Sequence, residues 1–294
     1  MLRGVILIAL AAVSWGTTGS VTTVLVARAD VHPWVIGAAR MWIAAALLLV
    51  ATRVTGASLP VSRSHLGAAF VLGACMAAFQ VTYFTAVTMT GIAITALVAI
   101  CSAPVMIAAL AVLVLRERLT TRVVISIALG VIGTALIVAN PLTVAPAAPR
   151  FALGAVLALG AALSYAVYVV VAKAALTRTE PLPLAALTFT VAAILLTLPV
   201  AWTDAPVTQL ARGWPWLLYL GAVTTAAAYA LYTTGLRFVP ATVAGIVSLL
   251  EPLTATLLGA LVFGERLGPT GIAGALLLFA AVTMSLVGER RAAS

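Results

Sequence analysis

PVMIAALAVLVLRERL, residues 104–119, returns as PLTATLLGALVFGERL, residues 252–267, 148 positions further along the chain. Both stretches begin with proline, continue through an apolar run and end in Glu-Arg-Leu, with the same spacing from proline to glutamate. An isolated Glu-Arg pair after an apolar segment carries little information. The same pattern in both halves of the chain predicts a duplicated unit of apolar segments.

The composition of the 294-residue chain is that of a membrane protein, with 64% hydrophobic and 8% charged residues. Soluble domains contain about 25% charged residues, so a water-soluble core does not explain this balance. The apolar runs reach the roughly 17–25 residues needed to cross a bilayer. Because backbone groups in lipid must be hydrogen-bonded within their own segment, these runs predict helices. We expect an all-α polytopic protein embedded in the lipid bilayer.

The remaining composition excludes several classes of function. The net charge of +9 is spread singly over short loops, so nucleic acid is not an expected partner. Cys75 and Cys101 lie inside apolar runs, where we interpret them as packing residues rather than a disulfide or metal ligands. The sequence contains no HExxH motif, no phosphate-binding Gly-rich loop and no intramembrane aspartate pair. An enzyme, a metal site and a cofactor are therefore not expected.

Proline, glycine and charged residues divide the chain into ten predicted spans. They lie near 4–27, 34–52, 66–88, 92–115, 121–139, 151–174, 182–202, 214–235, 241–263 and 269–288. The proline-interrupted stretch 141–150 is the natural linker. The prediction is a first five-helix repeat at 1–140 and a second at 151–294.

The loop charges predict the orientation, because Lys and Arg accumulate in cytoplasmic loops. One side holds Arg3, Arg53, Arg63, Arg116, Arg118, Arg122, Lys173, Arg178, Arg237, Arg290 and Arg291, and the other holds Arg28, Arg150, Arg212 and Arg266. This excess places both termini in the cytoplasm. Arg40 belongs to neither side, because it lies inside the second span.

The two halves are expected to be inverted, because each contains an odd number of spans. Gly73 aligns with Gly221 at a shift of 148, and Gly4 with Gly154 at a shift of 150. Inverted repeats are a recurring architecture of secondary transporters, with the substrate site near the midplane between the repeats. Ten helices are enough to enclose a central cavity in one chain, so a monomer is expected to suffice.

The chain resembles the EamA family of the drug/metabolite transporter superfamily over essentially its whole length. The residues that carry the resemblance are Ser14-Trp15-Gly16, Arg40 with the Ala-rich helix after it, and the two Pro-to-Glu-Arg-Leu stretches. The resemblance implies a transporter of the bacterial inner membrane that works by alternating access.

Within that family, Gln80, Tyr165 and Tyr168 are similar to residues of YddG-type amino-acid exporters. The chain departs from these exporters at Ala103, before Pro104, where they can carry a large aromatic residue. The resemblance to this type implies export of amino acids.

Three ionisable residues lie within predicted spans, where a central charge costs on the order of 2.5–3.5 kcal/mol. Glu251 precedes Pro252, which loosens the helix. It is either a cavity carboxylate for a substrate ammonium or a proton, or a structural carboxylate at the helix break. We interpret Arg40 as structural, snorkelling or pairing with a neighbouring helix terminus, and Lys173 as an interfacial anchor.

Polar and aromatic side chains in the third, sixth and eighth spans predict the substrate site. Each of these spans carries an i, i+3 pair that shares one helix face. Ring faces attract an ammonium and hydroxyls bind a carboxylate, which suits a zwitterion with an apolar side chain. The alternative is that the tyrosines hydrogen-bond between packed helices. The predicted substrate-binding residues are Trp15, Phe79, Gln80, Tyr83, Ser102, Tyr165, Tyr168, Tyr229, Tyr232, Ser248 and Glu251.

The expected function is export of small metabolites, with aromatic and other bulky neutral amino acids as the leading substrates. The alternative within transport is export of lipophilic cations or drugs coupled to protons, for which Glu251 supplies the counter-charge. An intramembrane enzyme or a receptor subunit is the alternative from a different class.

Overall fold

The computed structural model of the chain describes residues 1–59, 62–138, 150–262 and 268–290. Within these ranges every regular element is a helix, as predicted. The predicted linker, apart from Arg150, and the second Glu-Arg-Leu copy at 265–267 lie outside the described residues.

The described part of the chain contains thirteen α-helices. Those of the first half are α1 (Leu2–Gly16), α2 (Thr18–Ala29), α3 (Pro33–Val54), α4 (Arg63–Thr90), α5 (Ile92–Leu110) and α6 (Thr121–Val138). Those of the second half are α7 (Phe151–Ala175), α8 (Pro181–Val200), α9 (Pro206–Gly221), α10 (Ala228–Leu236), α11 (Ala241–Ser248), α12 (Leu250–Val262) and α13 (Pro269–Arg290). A π-helical turn, Ala111–Leu115, continues α5, and another, Ala222–Ala227, joins α9 to α10.

In the described residues, eight helical segments are long and apolar enough to cross a membrane. Two of them combine a pair of helices: α1 with α2 as Leu2–Ala29, and α11 with α12 as Ala241–Leu261. A shorter apolar helix, Pro269–Ser285, coincides with the tenth predicted span, and α9 to α10 covers the eighth. The chain is therefore a multi-pass membrane protein, and the number of ten spans stays a prediction.

The ninth predicted span is interrupted at Leu249, between α11 and α12. Pro252 follows three residues later, and a proline ring clashes with the carbonyl group four residues before it, here that of Ser248. The first span is interrupted at Thr17, whose hydroxyl donates to the carbonyl of Ser14 at 2.8 Å. The two interruptions lie near each other, because a Cβ on Gly16 would lie 2.8 Å from the carbonyl oxygen of Glu251.

The helices of the two halves exchange equivalent partners. Contacts of α4 with α7 are matched by contacts of α10 with α1, and those of α4 with α8 by those of α9 with α3. The helices α3 and α8, and likewise α6 and α13, pack against their own equivalents. This pattern is that of two repeats related by a two-fold exchange.

Two glycines show the same exchange at the level of single residues. A Cβ added to Gly73 would lie 2.5 Å from Cβ of Val191, and one added to Gly221 would lie 2.5 Å from Cβ of Ile43. Ile43 and Val191 are 148 positions apart, as are the two glycines. The absent side chains let α4 approach α8 and α9 approach α3 closely. The repeat in the sequence therefore corresponds to a repeated helix interface.

Burial differs between the two ends of the bundle, which we name the α10–α11 end and the α4–α5 end. Along α7, Gly154 packs on the end of α4, whereas Lys173 reaches the connection from α10 to α11. All eight residues of α11 are buried. In the equivalent stretch of α5, residues 93–100, only Thr95 and Ala99 are buried among the described side chains. The α10–α11 end is the more tightly packed.

Candidate functional site

Aromatic side chains from five helices meet in the middle of the bundle. We call this group the aromatic cluster; its members are Trp15, Phe79, Tyr83, Tyr165, Tyr168, Phe189, Tyr229 and Tyr232. They come from α1, α4, α7, α8 and α10. Each ring has its centroid within the 4.5–7 Å at which aromatic pairs attract each other.

Tyr229 is the centre of the cluster. Its ring centroid lies 4.7 Å from that of Phe189, 5.0 Å from Trp15 and 5.8 Å from Tyr168. Trp15 also lies 5.2 Å from Tyr232, one turn further along α10. The indole therefore packs against both tyrosines of the predicted i, i+3 pair.

The face of α4 joins the cluster through Phe79. This ring stacks on Tyr83 at 5.6 Å and lies 6.3 Å from Tyr165. Tyr165 in turn stacks near Tyr168 at 6.3 Å. The three predicted helix faces thus converge on one region.

Phe189 was not among the predicted residues. Its side chain is fully buried in α8 and contacts Tyr229, yet it lies in a run of Leu, Ala and Thr with no polar pattern. A single phenylalanine in such a run is equally typical of packing against lipid. No local signal in the sequence distinguishes it.

Three polar atoms in or beside the cluster are buried without a hydrogen-bond partner in the described part of the chain: Trp15 Nε1, Gln80 Nε2 and the hydroxyl oxygen of Tyr232. An unsatisfied buried donor costs about 1–3 kcal/mol, and a bound substrate can remove this cost. The Tyr165 hydroxyl is satisfied, because it lies 3.3 Å from Ser248 Oγ, which donates to the Ala244 carbonyl. The site therefore combines a fixed hydroxyl pair with free N–H donors.

Glu251 lies one turn after Ser248, in the first turn of α12. Its backbone carbonyl is pressed against α1, since a Cβ on Gly16 would lie 2.8 Å from that oxygen. Its carboxylate is partly exposed and makes no hydrogen bond or ion pair with the described residues. Ser102, also predicted for the site, is partly exposed on α5 and has no hydrogen bond to the cluster in the described ranges.

Arg40 is held differently from the prediction. Its Nε donates to Thr225 Oγ1 at 3.0 Å, and this hydroxyl donates to the Leu220 carbonyl at 2.8 Å. The partner is thus the π-helical turn Ala222–Ala227, neither the bilayer interface nor a helix terminus. Because Thr225 gives its proton to Leu220, its oxygen is left as an acceptor that orients the guanidinium.

Lys173 has a more specific role than the predicted interfacial anchor. Its Nζ donates to the carbonyls of Leu236 at 2.8 Å and Val239 at 2.7 Å, with a longer contact to Arg237 at 3.4 Å. A cation at the C-terminus of α10 satisfies carbonyls that have no partner within the helix. Lys173 therefore ties α7 to the connection between α10 and α11.

Glu117, from the first Glu-Arg-Leu copy, caps the helix on the other side of that connection. Its carboxylate accepts hydrogen bonds from the backbone N–H of Ala241 at 2.7 Å and of Thr242 at 3.2 Å. The Thr242 hydroxyl also donates to it, at 2.9 Å. A carboxylate at a helix N-terminus is favoured by both the free N–H groups and the helix dipole.

Two surface pockets lie outside the aromatic cluster. A groove of about 510 Å³ between α3, α8 and α9 is lined by apolar side chains with Trp42 and Trp214 at its rim. A second pocket, of about 410 Å³, lies at the α10–α11 end and contains Arg3 and Arg237. Among the described residues, no group of His, Cys, Asp and Glu could hold a metal ion.

Comparison with known proteins identifies the family. The model of the EamA-like transporter family matches the chain twice, over residues 2–139 and 152–287. The chain is 36% identical over 274 residues to the uncharacterized transporter YwfM of Bacillus subtilis, covering 92% of this chain and 88% of the relative. An uncharacterized transporter of Archaeoglobus fulgidus is 30% identical over 204 residues, covering 69% and 70%. A solved crystal structure of 20% identity has the same fold, with a TM-score of 0.86 over 99% of both chains.

Proposed function

The chain belongs to the EamA-like transporter family, and from this premise we propose that it exports amino acids, in particular aromatic and other bulky neutral ones. The relatives are named as transporters and not as enzymes, which agrees with the prediction that the chain is not an enzyme. The site therefore has to bind and release a small molecule, and it needs no catalytic group for this.

The observation that carries the choice of substrate is the aromatic cluster with one cation and one anion beside it. Arg40 binds Thr225, one turn before Tyr229, and the backbone of Glu251 lies against Gly16, the neighbour of Trp15. No ion pair within 4.0 Å joins the two charges, because the one such pair among the described residues is Arg212 with Asp30 at 3.8 Å. A zwitterion with an apolar side chain matches separated opposite charges next to aromatic rings.

The burial of the two ends supports alternating access. Helices of both repeats close the α10–α11 end, while the α4–α5 end is less tightly packed. We place the α10–α11 end and both termini in the cytoplasm of a bacterial cell, because the excess of Lys and Arg lies on that side. The structure then corresponds to a transporter closed towards the cytoplasm.

One chain supplies every side of the cluster, from α1 to α10. This supports a monomer as the transporting unit. The residues predicted from the sequence, with Phe189 and Arg40 added, form the proposed site.

The alternative substrate class is lipophilic cations exchanged for protons. It is favoured by Glu251, a carboxylate that has no ion pair within the described residues and whose backbone lies against Gly16, next to Trp15. A cation has no use for Arg40, which would repel it. For this reason the amino acid is the better match.

Efflux from proteoliposomes tests the proposal. Vesicles containing the purified protein are loaded with labelled amino acids or with lipophilic cations, and protein-free vesicles serve as the baseline. We expect efflux of phenylalanine, tryptophan and leucine above that baseline. Absence of efflux for every amino acid, together with efflux of cations, would overturn the proposal in favour of the alternative.

A variant of Tyr229 links this transport to the aromatic cluster. Tyr229→Ala removes the ring that contacts Trp15, Tyr168, Phe189 and Tyr232. One aromatic contact is worth about 0.5–1.5 kcal/mol, so losing that contact to the substrate should weaken the apparent affinity by up to roughly tenfold. Tyr219→Phe is the matched control, because this α9 tyrosine bonds Thr17 at 2.9 Å and lies outside the cluster. Equal effects of the two substitutions would place the substrate elsewhere.

A further inference from the structure

We propose that Arg40 binds the carboxylate of the transported amino acid while Glu251 binds its ammonium, so that the substrate lies along the aromatic cluster in one orientation. This assignment rests on the proposed function above. It deepens that function by naming the two groups that recognise the charged ends of the substrate.

Arg40 retains free hydrogen-bond donors. A guanidinium has five N–H donors, and the hydrogen bond of Arg40 Nε to Thr225 uses one of them. The two Nη groups have no hydrogen-bond partner in the part of the chain that the structure describes, and the side chain is partly exposed. Because the Nη groups form a planar fork, they match the two oxygens of a carboxylate.

The guanidinium of Arg40 is held in place by the protein itself. Thr225 lies in the π-helical turn Ala222–Ala227 and gives its own proton to the Leu220 carbonyl, 2.8 Å away. It can therefore only accept from Arg40, which fixes the direction of the side chain. Single π-helical turns are frequent at functional sites because they change the direction of side chains.

The neighbours of Arg40 include an unsatisfied amide and an aromatic ring. Gly37, one turn earlier on α3, has no side chain, and a Cβ there would lie 3.1 Å from Gln80 Nε2. The unsatisfied amide of Gln80 thus lies beside the helix of Arg40. Tyr229 lies one turn after Thr225, the hydrogen-bond partner of Arg40. An amide donor and the central ring of the aromatic cluster therefore lie on elements that contact α3 near Arg40.

Arg40 and Glu251 have no charged equivalent in the other repeat. The position equivalent to Arg40, 148 residues later, is Thr188, and the position equivalent to Glu251 is Ala103. Since α3 and α8 pack against each other in the same surroundings, a cation needed for packing is expected in both. Arg40 and Glu251 each occur in one repeat alone, as substrate-binding groups do when the fold itself does not require them.

Competition with three related molecules tests the assignment. Efflux or uptake of labelled phenylalanine by proteoliposomes is competed with phenylalanine, with phenylalaninamide, which lacks the carboxylate, and with 3-phenylpropionate, which lacks the ammonium. We expect the wild type to prefer phenylalanine over both. Arg40→Gln should lose its preference over the amide by about 10- to 100-fold, as expected for a charged hydrogen bond.

Glu251→Gln should show the opposite pattern, losing the preference over 3-phenylpropionate while keeping that over the amide. Thr225→Val tests the positioning of Arg40 and should weaken the preference over the amide by less than Arg40→Gln does. Arg53→Gln is the matched control, because this arginine is exposed in the last turn of α3 and should leave both preferences unchanged.

The outcomes separate the two proposals. If the wild type discriminates and Arg40→Gln discriminates equally well, the assignment is wrong and amino-acid transport stands. If the wild type moves no amino acid, both are wrong. If Arg40→Gln does not fold, Arg40→Lys provides the reading, because it keeps the charge and loses the planar fork, so a preference over the amide equal to that of the wild type contradicts carboxylate binding by the fork.

Discussion

The α10–α11 end and the α4–α5 end are equivalent in the repeat and differ in how they are held. At the α10–α11 end, Lys173 binds carbonyls at the end of α10 and Glu117 caps the start of α11. The residue equivalent to Lys173, 150 positions earlier, is Thr23, whose exposed side chain donates to Gly19 of its own helix at 3.0 Å. Unlike Lys173, Thr23 therefore makes its hydrogen bond within its own helix and does not join two helices.

The two repeats are alike at their interior helix interfaces and differ at the ends of the bundle. In the interior, Gly73 on Val191 and Gly221 on Ile43 form the same contact twice. The helix interfaces are therefore alike in both repeats. Within the described residues the ties made by Lys173 and Glu117 lie at the α10–α11 end, and Glu265, the equivalent of Glu117, lies outside those residues. We infer that Lys173 and Glu117 help to hold the α10–α11 end closed, because both bind the connection between α10 and α11.

The rate of cysteine labelling should show the largest difference between the α10–α11 end and the α4–α5 end. In a chain without Cys75 and Cys101, single cysteines are placed at Ala244, fully buried in α11, and at the equivalent Ala96, partly exposed in α5. A minor conformation is typically populated at about 0.1–10%, so Ala244→Cys should react with a water-soluble maleimide about 10- to 1,000-fold more slowly than Ala96→Cys.

Denatured protein is the control, because both cysteines should then react at the same rate. Equal rates in the folded protein would contradict the difference in closure between the ends.

Lys173→Met breaks the stronger of the two ties and should have the next largest effect. Losing hydrogen bonds from a charged donor costs about 2 kcal/mol, which changes the population of the closed state by about 30-fold. We expect faster maleimide labelling at Ala244→Cys and slower labelling at Ala96→Cys.

Lys173→Arg keeps the positive charge and serves as the control. If labelling at both cysteines stays unchanged in Lys173→Met, the lysine does not hold the α10–α11 end closed.

Glu117→Gln should have the smallest effect of the three. It keeps the shape of the cap on α11 and removes the charge, at a cost of about 1 kcal/mol, or roughly fivefold in the same labelling rate. Glu180→Gln is the matched control, because Glu180 precedes α8 without a capping hydrogen bond. A larger effect of Glu180→Gln than of Glu117→Gln would show that the cap does not matter.

The helix faces could be predicted from the sequence, and their partners could not. The i, i+3 spacing of Tyr165 with Tyr168 and of Tyr229 with Tyr232 determines that each pair shares one face. Nothing in either segment says that Tyr229 meets Phe189, because that contact depends on how α8 and α10 pack. Arg40 shows the same limit, since it was expected to snorkel or to pair with a helix terminus and instead binds a π-helical turn.

The helices, the membrane location and the duplication can all be read from the sequence. Hydrocarbon thickness and the need to satisfy the backbone act on each segment separately, so local composition suffices for the helices and their location. Which charges and rings meet depends on the three-dimensional packing. Arg40 binds a residue 185 positions away and Glu117 caps a helix 124 positions away. Such contacts depend on the packing of whole helices, and helical periodicity specifies a face without specifying its neighbour.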